Sequence, residues 1–297
     1  VNRRDIRADD YYVQGDYAGR AGVERSYEKV LRGEKGVEIL LRDAHGRIKG
    51  RYEEGLHDMA PVSGKNLKLA IDIELQIYAE QLLQNKLGSI VMIEPSTGEV
   101  LCLATSPSYD PNLLVGRQRG KNHLLLENDP LKPLFDRSIM GTYPPGSTFK
   151  PFVIGAALEQ GVPTSTSFDA PQTMQFRGAK FKNCEGTFTF NGNWEPKNYD
   201  KAYGVIDMLK ATQNSVNTYF VQLEQKVGIC ASIDMAQKLG VKLADGTDMR
   251  NMAGYPSWVL GTAYVTPLSM AEAYATFANR GVHCNPIILQ SVQAKDG

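Results

Sequence analysis

The segment Tyr143–Gly161 limits what this chain can fold into more than any other. It begins with Tyr143-Pro144-Pro145-Gly146, where two prolines and a glycine interrupt regular structure, and it closes at Gly161. Between these ends, Pro151–Leu158 is apolar on every side, which is typical of a helix buried on all faces. The segment therefore predicts a turn that leads directly into a core helix over Ser147–Gln160.

Length and composition indicate a globular protein with one large and one small domain, or with two domains. The chain has 297 residues, of which 42% are hydrophobic and 22% charged, so it is neither disordered nor collagen-like nor a heptad repeat. Its 33 basic and 33 acidic residues balance, which gives no general attraction to nucleic acid or to anionic lipid. No apolar run approaches the roughly 18 residues of a membrane span, and the polar start Val1–Asp10 has no signal-peptide core.

The cysteines and histidines predict no metal site. There are 4 of each, scattered along the chain without a C-x-x-C or an H-E-x-x-H spacing. We therefore expect neither a zinc knuckle nor a thioredoxin-like centre. A core of this size does not depend on disulfides, and the spacing leaves open whether Cys184 or Cys230 is paired.

A change in composition at Pro61-Val62-Ser63-Gly64 marks a linker between two regions. Residues 1–62 are charged and rich in glycine, with short apolar pieces around a turn at Ala44-His45-Gly46, which predicts a small β-rich module. The remainder mixes helices and strands that do not alternate strictly, which predicts an α+β domain. Its predicted elements are a strand at Leu67–Ile71, a helix capped by Asp72 and running to about Lys86, a hairpin of Ser89–Glu94 and Glu99–Ala104, loops over 105–146, the helix Ser147–Gln160, loops and short strands over 162–204, helices at 206–213, 217–227, 231–239 and 267–279 (the last capped by Thr266), and a strand at Ile287–Ala294 before a turn at Lys295-Asp296-Gly297.

A serine and a lysine at the start of the core helix suggest nucleophilic catalysis. A serine hydroxyl is a poor nucleophile until a base removes its proton. Ser147 and Lys150 lie three residues apart on one helix face, and a partly desolvated lysine can lose its own proton and act as that base. The helix N-terminus also stabilises developing negative charge.

The S-x-x-K spacing is weak evidence by itself, because it also arises by chance. The chain has a second copy, Ser26–Lys29, in a charged stretch with no turn before it, which predicts a solvated helix face. The Ser147 copy follows Pro-Pro-Gly and precedes an apolar helix that would bury it against the core. On these grounds alone it can be catalytic or accidental.

A second candidate element is Gln213-Asn214-Ser215-Val216-Asn217, which contains the only S-x-N in the chain. It lies between two predicted helices, where a loop can present a hydroxyl for proton relay and a carboxamide that binds a substrate amide. The alternative is a helix cap, since Ser and Asn are common between helices. The serine–lysine pair upstream favours catalysis, with Ser215 and Asn217 as further site residues.

S-x-x-K followed by S-x-N resembles the penicillin-binding proteins, the active-site serine D,D-transpeptidases of bacterial cell-wall synthesis. Leu69–Gln76 (LAIDIELQ) is similar to the L-T-I-D-x-x-L-Q start of that domain, and residues 88–112 are similar to its first hairpin and the loop after it. Asp136-Arg137-Ser138 corresponds to the usual N-R-A. Gly19–Gly36 is similar to the junction before the catalytic domain in class B, monofunctional enzymes of the elongation type (penicillin-binding protein 2). The resemblance spans nearly the whole chain.

The resemblance implies the penicillin-binding and serine β-lactamase fold, an antiparallel sheet flanked by helices. Residues 1–62 then correspond to the end of an N-terminal pedestal or dimerisation-like module, and residues 63–297 to a transpeptidase domain whose C-terminal part is missing. It also implies a place at the extracytoplasmic face of the bacterial cytoplasmic membrane, with an N-terminal anchor helix outside this sequence. The implied partners are peptidoglycan stem peptides ending in D-Ala-D-Ala, β-lactam antibiotics, a membrane glycan polymerase and morphogenesis proteins, without nucleic acid, cofactor or metal.

The resemblance also implies a role for each candidate residue. Ser147 would attack the carbonyl of the penultimate D-alanine, with Lys150 as general base and the Ser147 backbone N–H as half of the oxyanion hole. Ser215 would relay the proton to the leaving amine, and Asn217 would hold the substrate amide. An amine of a neighbouring stem would then resolve the acyl-enzyme and form the cross-link.

One departure from the family leaves alternatives open. The third family motif, K-[ST]-G, supplies a cation for the substrate carboxylate and part of the oxyanion hole, and no such triplet occurs here. Lys295-Asp296-Gly297 is better explained as a hairpin turn, so we expect the sequence to stop before this motif and to be inactive on its own. The alternatives are a D,D-carboxypeptidase, a β-lactamase, a penicillin sensor or an inactive scaffold that binds morphogenesis partners. β-Lactamases and sensors lack a module like residues 1–62, and two intact motifs favour an enzyme over a scaffold.

Other conspicuous residues are predicted to be structural. Asp136 and Arg137 could be a functional pair, but a structural ion pair is expected. Large aromatic side chains near Pro and Gly could line a substrate groove, but they are more often part of the core. The aromatic residues expected in the core are Trp194, Trp258, Tyr199 and Tyr203.

Overall fold

The computed structural model describes residue 1 and residues 3–294 of the chain. It divides into two compact units, one of Val1–Ala70 with the segment from Ile288 onward, and one of Ile71–Ile287. The division follows Ala70, whereas composition predicts a boundary at residue 62. The difference arises because the strand after the linker pairs with the strand at Leu289–Gln293, a long-range contact that composition does not reveal.

Helices and short antiparallel strand pairs make up both units. The helices are α1 (Arg3–Ala8), α2 (Gly22–Ser26), α3 (Glu28–Leu31), α4 (Ile73–Leu82), α5 (Arg119–Glu127), α6 (Lys150–Glu159), α7 (Met208–Gln213), α8 (Asn217–Val227), α9 (Ile229–Lys238) and α10 (Pro267–Ala278). The strands are β1 (Leu40–Arg42), β2 (Ile48–Arg51), β3 (Asn66–Leu69), β4 (Gly88–Ile93), β5 (Val100–Ser106), β6 (Ser167–Ala170), β7 (Lys180–Lys182), β8 (Thr187–Thr189), β9 (Gly204–Asp207) and β10 (Leu289–Gln293). They pair antiparallel as β1–β2, β3–β10, β4–β5, β6–β9 and β7–β8.

Polar contacts hold the helices of the first unit together. The Tyr12 hydroxyl donates to Glu28 Oε1 at 2.8 Å, and the Tyr11 hydroxyl donates to the Arg32 carbonyl at 2.8 Å. Arg32 pairs with Asp9 at 2.7 Å and stacks over the Tyr11 ring.

The region predicted as a β-rich module also contains three short helices. The sequence pattern did not predict them, because four to six residues show too little of the helical period.

The predicted elements at the start of the second unit form as expected. The strands β4 and β5 form the predicted hairpin. Asp72 caps α4 by accepting from the N–H groups of Glu74 and Leu75 at 3.0 and 3.1 Å. Gln76 of α4 then forms two hydrogen bonds with the backbone of Leu103 in β5, at 2.9 and 3.2 Å. Ala79 and Leu83 pack on Cys102 and Ala104 in a small core of their own.

The main core lies around α6, α8, α9 and a 3₁₀ turn at Pro256–Leu260. α6 is buried along much of its length, as its apolar sequence predicts, although its first turn (Gly146–Phe149) is 3₁₀. Trp258 is fully buried, as predicted, and its ring lies 5.3 Å from that of Phe149. The nucleophile candidate is therefore carried by a turn that is packed against the centre of the domain.

The structure differs from the predicted elements in two loop regions. α5 falls inside the stretch predicted as loops, and its leucines Leu124 and Leu125 are exposed, so it presents no buried stripe that a pattern could reveal. The turns Met249–Met252 and Pro256–Leu260 were also not predicted. The turn predicted at residues 295–297 lies outside the described residues. Among the described residues, no helix has the length and apolar character needed to cross a bilayer.

A disulfide settles the cysteine question that the sequence left open. Cys184, in the loop between β7 and β8, is bonded to Cys230 near the start of α9. The bond ties the loop-rich segment 162–204 to a core helix. Cys102 is buried and free, and Cys284 is free and partly exposed.

Candidate active site

The first turn of the core helix presents Ser147 beside Lys150. In a 3₁₀ turn, side chains at positions i and i+3 eclipse each other, so this spacing brings the two groups to the same side. Lys150 Nζ donates to Ser147 Oγ at 3.1 Å. Ser147 is exposed, while Lys150 is only 3% exposed. The solvent-accessible hydroxyl of Ser147 is therefore hydrogen-bonded to the buried amine of Lys150.

Three contacts fix the position of this turn. The Phe149 side chain is buried against Trp258 and Phe152, with ring centroids 5.3 and 5.0 Å away. The Gly146 N–H donates to the Gly261 carbonyl at 3.1 Å. From α10, the Tyr274 hydroxyl donates to the carbonyl of Thr148, the residue after Ser147, at 2.8 Å.

The S-x-N sequence occupies the junction between α7 and α8. Ser215 has φ 52°, a left-handed conformation that costs a non-glycine residue about 1–2 kcal/mol. This conformation turns its carbonyl toward Lys150, which donates to it at 2.6 Å. The next residue, Val216, is buried, and Asn217 begins α8. The core therefore holds the strained Ser215 backbone in place.

All four residues predicted from the sequence meet at the Lys150 amine. Besides Ser147 Oγ, its Nζ donates to Ser215 Oγ at 2.9 Å and to Asn217 Oδ1 at 2.6 Å. The Phe220 ring centroid lies 5.2 Å from Nζ. Among the described residues, no carboxylate forms an ion pair with Lys150. Burial therefore dominates and lowers the pKa of Lys150 from 10.5 to about 8.

Asn217 is oriented from two sides. Its Oδ1 accepts from Lys150, and its Nδ2 donates to the carbonyl of Lys197 at 2.9 Å. Lys197 belongs to the loop-rich segment before α7, so that segment contributes to the site. This contact, and also those of Gly261 and Tyr274, could not be predicted from the sequence, because each partner lies far away along the chain. The local sequence Trp-Glu-Pro-Lys-Asn at residues 194–198 indicates only a turn.

The second S-x-x-K copy does not form a comparable arrangement. Ser26 ends α2 while Lys29 lies in α3, and both side chains are exposed. The predicted exposure of both side chains is confirmed, although they lie on two short helices and not on one helix face. Burial of the lysine therefore distinguishes the Ser147 copy from the accidental one.

Two structural predictions outside the site need correction. Asp136 and Arg137 do not pair with each other: Arg137 donates to three backbone carbonyls of the preceding loop at 2.6–3.3 Å, and the Asp136 carboxylate accepts from Ser138 at 2.5 and 2.9 Å. The prediction of a core position is also wrong for Tyr199, which is 103% exposed. Trp194 and Tyr203 do pack partly against the core.

The described part of the chain has no cluster of His, Cys, Asp or Glu side chains that could hold a metal ion. The chemistry that the arrangement can perform with its own groups is nucleophilic. It combines an exposed hydroxyl, a buried amine of lowered pKa, a second hydroxyl and a carboxamide, as in the serine–lysine acyl-transfer sites.

Comparison with protein families shows which family the chain belongs to. The family described as "Penicillin binding protein transpeptidase domain" matches residues 88–296, and the "Penicillin-binding Protein dimerisation domain" matches residues 1–69. The chain belongs to the penicillin-binding proteins, with the transpeptidase fold and an N-terminal dimerisation module.

Individual relatives agree with this assignment. The peptidoglycan D,D-transpeptidase MrdA of Acinetobacter baumannii is 31% identical over 98% of this chain and 45% of its own length. One solved structure shows the structural coordination of polymerization and crosslinking by a peptidoglycan synthase complex. A chain of that complex superposes with a TM-score of 0.80 at 25% identity, over 99% of this chain and 54% of that one. Penicillin-binding protein A of M. tuberculosis, solved as its penicillin G acyl-enzyme, gives a TM-score of 0.69 at 29% identity, over 80% of this chain and 57% of that one. The chain thus spans about half the length of the curated relatives it matches.

Proposed function

We propose that the protein carrying this chain is a peptidoglycan D,D-transpeptidase of the elongation type, which cross-links stem peptides through an acyl-enzyme on Ser147. The observation that carries the proposal is the convergence of Ser147, Ser215 and Asn217 on the buried amine of Lys150. The relatives named D,D-transpeptidase support the reaction type.

In the proposed acylation, neutral Lys150 removes the proton from Ser147 Oγ as that oxygen attacks the carbonyl carbon of the penultimate D-alanine. The 3.1 Å separation of the two atoms allows direct transfer. Because pH 7 is one unit below a pKa of about 8, about a tenth of the molecules carry the neutral amine at that pH. The oxyanion that forms would be stabilised by the Ser147 N–H, since the first N–H groups of a helix have no acceptor within it.

Collapse of the tetrahedral intermediate then breaks the bond to the terminal D-alanine. Ser215 would pass a proton from Lys150 to the leaving amine, because its Oγ lies 2.9 Å from Lys150 Nζ. The second N–H of the Asn217 carboxamide would bind the substrate amide, while Lys150 and Lys197 hold the group in place. An amine from a neighbouring stem would attack the acyl-enzyme in the reverse sequence and restore Ser147.

We also propose β-lactams, a membrane glycan polymerase and morphogenesis proteins as partners, at the extracytoplasmic face of the cytoplasmic membrane. The penicillin G acyl-enzyme and the synthase complex among the relatives support the first two. The Cys184–Cys230 disulfide supports an oxidising compartment. We assign residues 1–62 to the dimerisation-like module and residues 63–297 to the transpeptidase domain.

The test is the intact mass of the full-length protein after exposure to penicillin G, beside a Ser147→Ala variant. We expect one drug-mass increment in the wild type and none in the variant, since only the Ser147 hydroxyl can form the ester. Ser26→Ala, in the accidental copy of the motif, is the matched control and should acylate normally. No increment in the wild type would reject the proposal in favour of a non-catalytic scaffold.

A further inference from the structure

The loop Glu195–Lys201, here called the 195–201 loop, reaches the candidate site through a polar contact. Its Lys197 carbonyl accepts from Asn217 Nδ2 at 2.9 Å. In the proposed reaction, Asn217 binds the amide that links the acylated residue to the rest of the stem peptide. In that reaction the 195–201 loop would border the place where the remainder of the stem leaves the site.

Asn198 fixes the centre of this loop. Its side chain is 3% exposed, and its Nδ2 donates to the carbonyls of Pro171 and Lys201 at 2.9 and 3.2 Å. Its Oδ1 accepts from the N–H and the hydroxyl of Thr218, both at 3.1 Å. Because Thr218 is the second residue of α8 and follows Asn217 directly, the loop and the S-x-N residues form one connected unit.

The loop is also tied down beyond its exposed tip. The Tyr203 hydroxyl donates to the Asp200 carboxylate at 3.0 Å, and the Tyr203 ring packs partly against the main core. The backbone on both sides of Tyr199 is therefore anchored. Because the backbone is held on both sides, the exposure of the Tyr199 side chain is not explained by a flexible loop.

Tyr199 itself is 103% exposed, as much as in an extended peptide. Exposing a tyrosine ring to water forfeits the free energy that its burial provides. Tyr199 follows by two residues the Lys197 carbonyl that contacts Asn217, and exposed tyrosine side chains are frequent anchors of binding. Tyr203, four residues later, shows that the same segment can turn a ring toward the core. The solvent position of Tyr199 thus has a stronger explanation in recognition than in folding.

We propose that Tyr199 is a specificity-determining residue whose ring packs against the stem peptide where it extends beyond Asn217. This inference rests on the proposed function. A stem peptide offers aliphatic side chains to the ring face and amides to the hydroxyl, whereas penicillin G engages the residues around Ser147 and has no stem. Tyr199 should therefore matter for the peptide and not for the drug.

The test compares Tyr199→Ala with Tyr199→Phe in the full-length protein, with Tyr78→Ala, an exposed tyrosine of α4, as matched control. Two quantities are measured: the rate of Ser147 acylation by penicillin G, and the concentration of a synthetic stem pentapeptide ending in D-Ala-D-Ala that halves this rate. For Tyr199→Ala we expect an unchanged acylation rate and a threefold to tenfold higher half-effect concentration, which corresponds to about 0.7–1.4 kcal/mol of lost binding free energy. Tyr199→Phe, which keeps the ring, should lie near the wild type.

Each alternative result has a distinct meaning. Equal half-effect concentrations in Tyr199→Ala and the wild type, or a pentapeptide that does not protect the wild type at all, would overturn the inference. A slower penicillin reaction in Tyr199→Ala would also overturn it, because Tyr199 would then act by positioning Asn217. A wild type that penicillin G does not acylate would reject the proposed function, and the inference with it.

Discussion

Lys150 shows how burial of one residue sets the chemistry of the candidate site. Its amine is surrounded by neutral oxygen acceptors and the Phe220 ring, so burial is not offset by an anion and the charged form is disfavoured. The lowered pKa of about 8 makes a neutral amine accessible near physiological pH. A solvated lysine with its usual pKa would supply far less of the base.

The Lys150 environment predicts a pH profile for acylation. Because the neutral amine is the base, the rate constant for penicillin G should rise about tenfold per pH unit below pH 8 and level off above it. The measurement is the acylation rate of the full-length protein from pH 6 to pH 10, corrected for alkaline hydrolysis of the drug. An inflection near the ordinary lysine value of 10.5, or a flat profile, would contradict the role of Lys150.

Glu224 is a second buried ionisable group, on the same face of α8 as Asn217 and Phe220. Neither carboxyl oxygen has a hydrogen-bond partner of normal geometry among the described residues, and the residue is fully buried. The Val259 N–H favours the charged form, but burial outweighs it and raises the pKa of Glu224 well above 4.5. Glu224 is therefore a neutral acid in the folded protein at mildly acidic pH.

The raised pKa of Glu224 predicts how stability changes with pH. The unfolded chain loses this proton near pH 4.5 while the folded chain keeps it, so the wild type loses stability as the pH rises from 4.5 toward the folded pKa. The difference in melting temperature between Glu224→Gln and the wild type should thus shift in favour of the variant between pH 5 and pH 8. Thermal unfolding of both proteins, with the exposed Glu159→Gln as control, tests this. A difference that does not change with pH would contradict it.

At the scale of elements, the turn Pro256–Leu260 packs against the turn Gly146–Phe149, which carries Ser147 and is here called the nucleophile turn. Trp258 packs on Phe149, and Gly261 ends the turn in a left-handed conformation with φ 67° while its carbonyl accepts from Gly146. A side-chain carbon at Gly261 would lie 2.2 Å from the Gly146 carbonyl oxygen and 2.5 Å from its nitrogen. Glycine is required here by both conformation and close approach.

Gly261→Ala should therefore displace the turn that carries Ser147. We expect acylation by penicillin G to slow at least tenfold and stability to fall by about 1–3 kcal/mol, from the left-handed backbone and the backbone clash. Gly254→Ala is the matched control, because an added carbon there meets nothing within 4 Å. Acylation rates and denaturant unfolding measure the two effects. Wild-type acylation in Gly261→Ala would show that Gly146 does not depend on this support.

At the scale of the whole molecule, one covalent bond links the loop-rich segment to the helical core. Cys184 and Cys230 close a loop with a sequence separation of 46 residues, and the same segment supplies Lys197 to the candidate site. Removing the bond enlarges the conformational freedom of the unfolded chain, which typically costs about 2–4 kcal/mol. The bond therefore restrains the segment between β7 and β8 against α9.

The disulfide predicts a thermal shift on reduction. A Cys184→Ser/Cys230→Ser variant should melt several degrees below the wild type, and reductant should lower the melting temperature of the wild type but not that of the variant. Cys284→Ser, which removes a free thiol, serves as control and should respond to reductant as the wild type does. A wild type that reductant leaves unchanged would contradict a structural role for the bond.

Local sequence determined those features that short-range geometry fixes. Pro-Pro-Gly before an apolar run determined a turn and a buried helix, and a three-residue spacing within one helical turn determined that Ser147 and Lys150 meet. Asp72 and Thr266 determined the starts of α4 and α10, because a cap acts on N–H groups two or three residues away. The family resemblance rested on such short motifs, and the family comparison confirmed it.

Tertiary structure alone decided what surrounds those motifs. Asn217, Gly261 and Tyr274 reach the nucleophile turn or its lysine across 67 or more residues, and no local pattern encodes such pairings. The same holds for the burial of Lys150, the exposure of Tyr199 and the choice of Cys184 as the partner of Cys230. Burial and long-range contact depend on how the whole chain packs, and the lowered pKa of Lys150 depends on burial, so this chemistry became visible only in the folded protein.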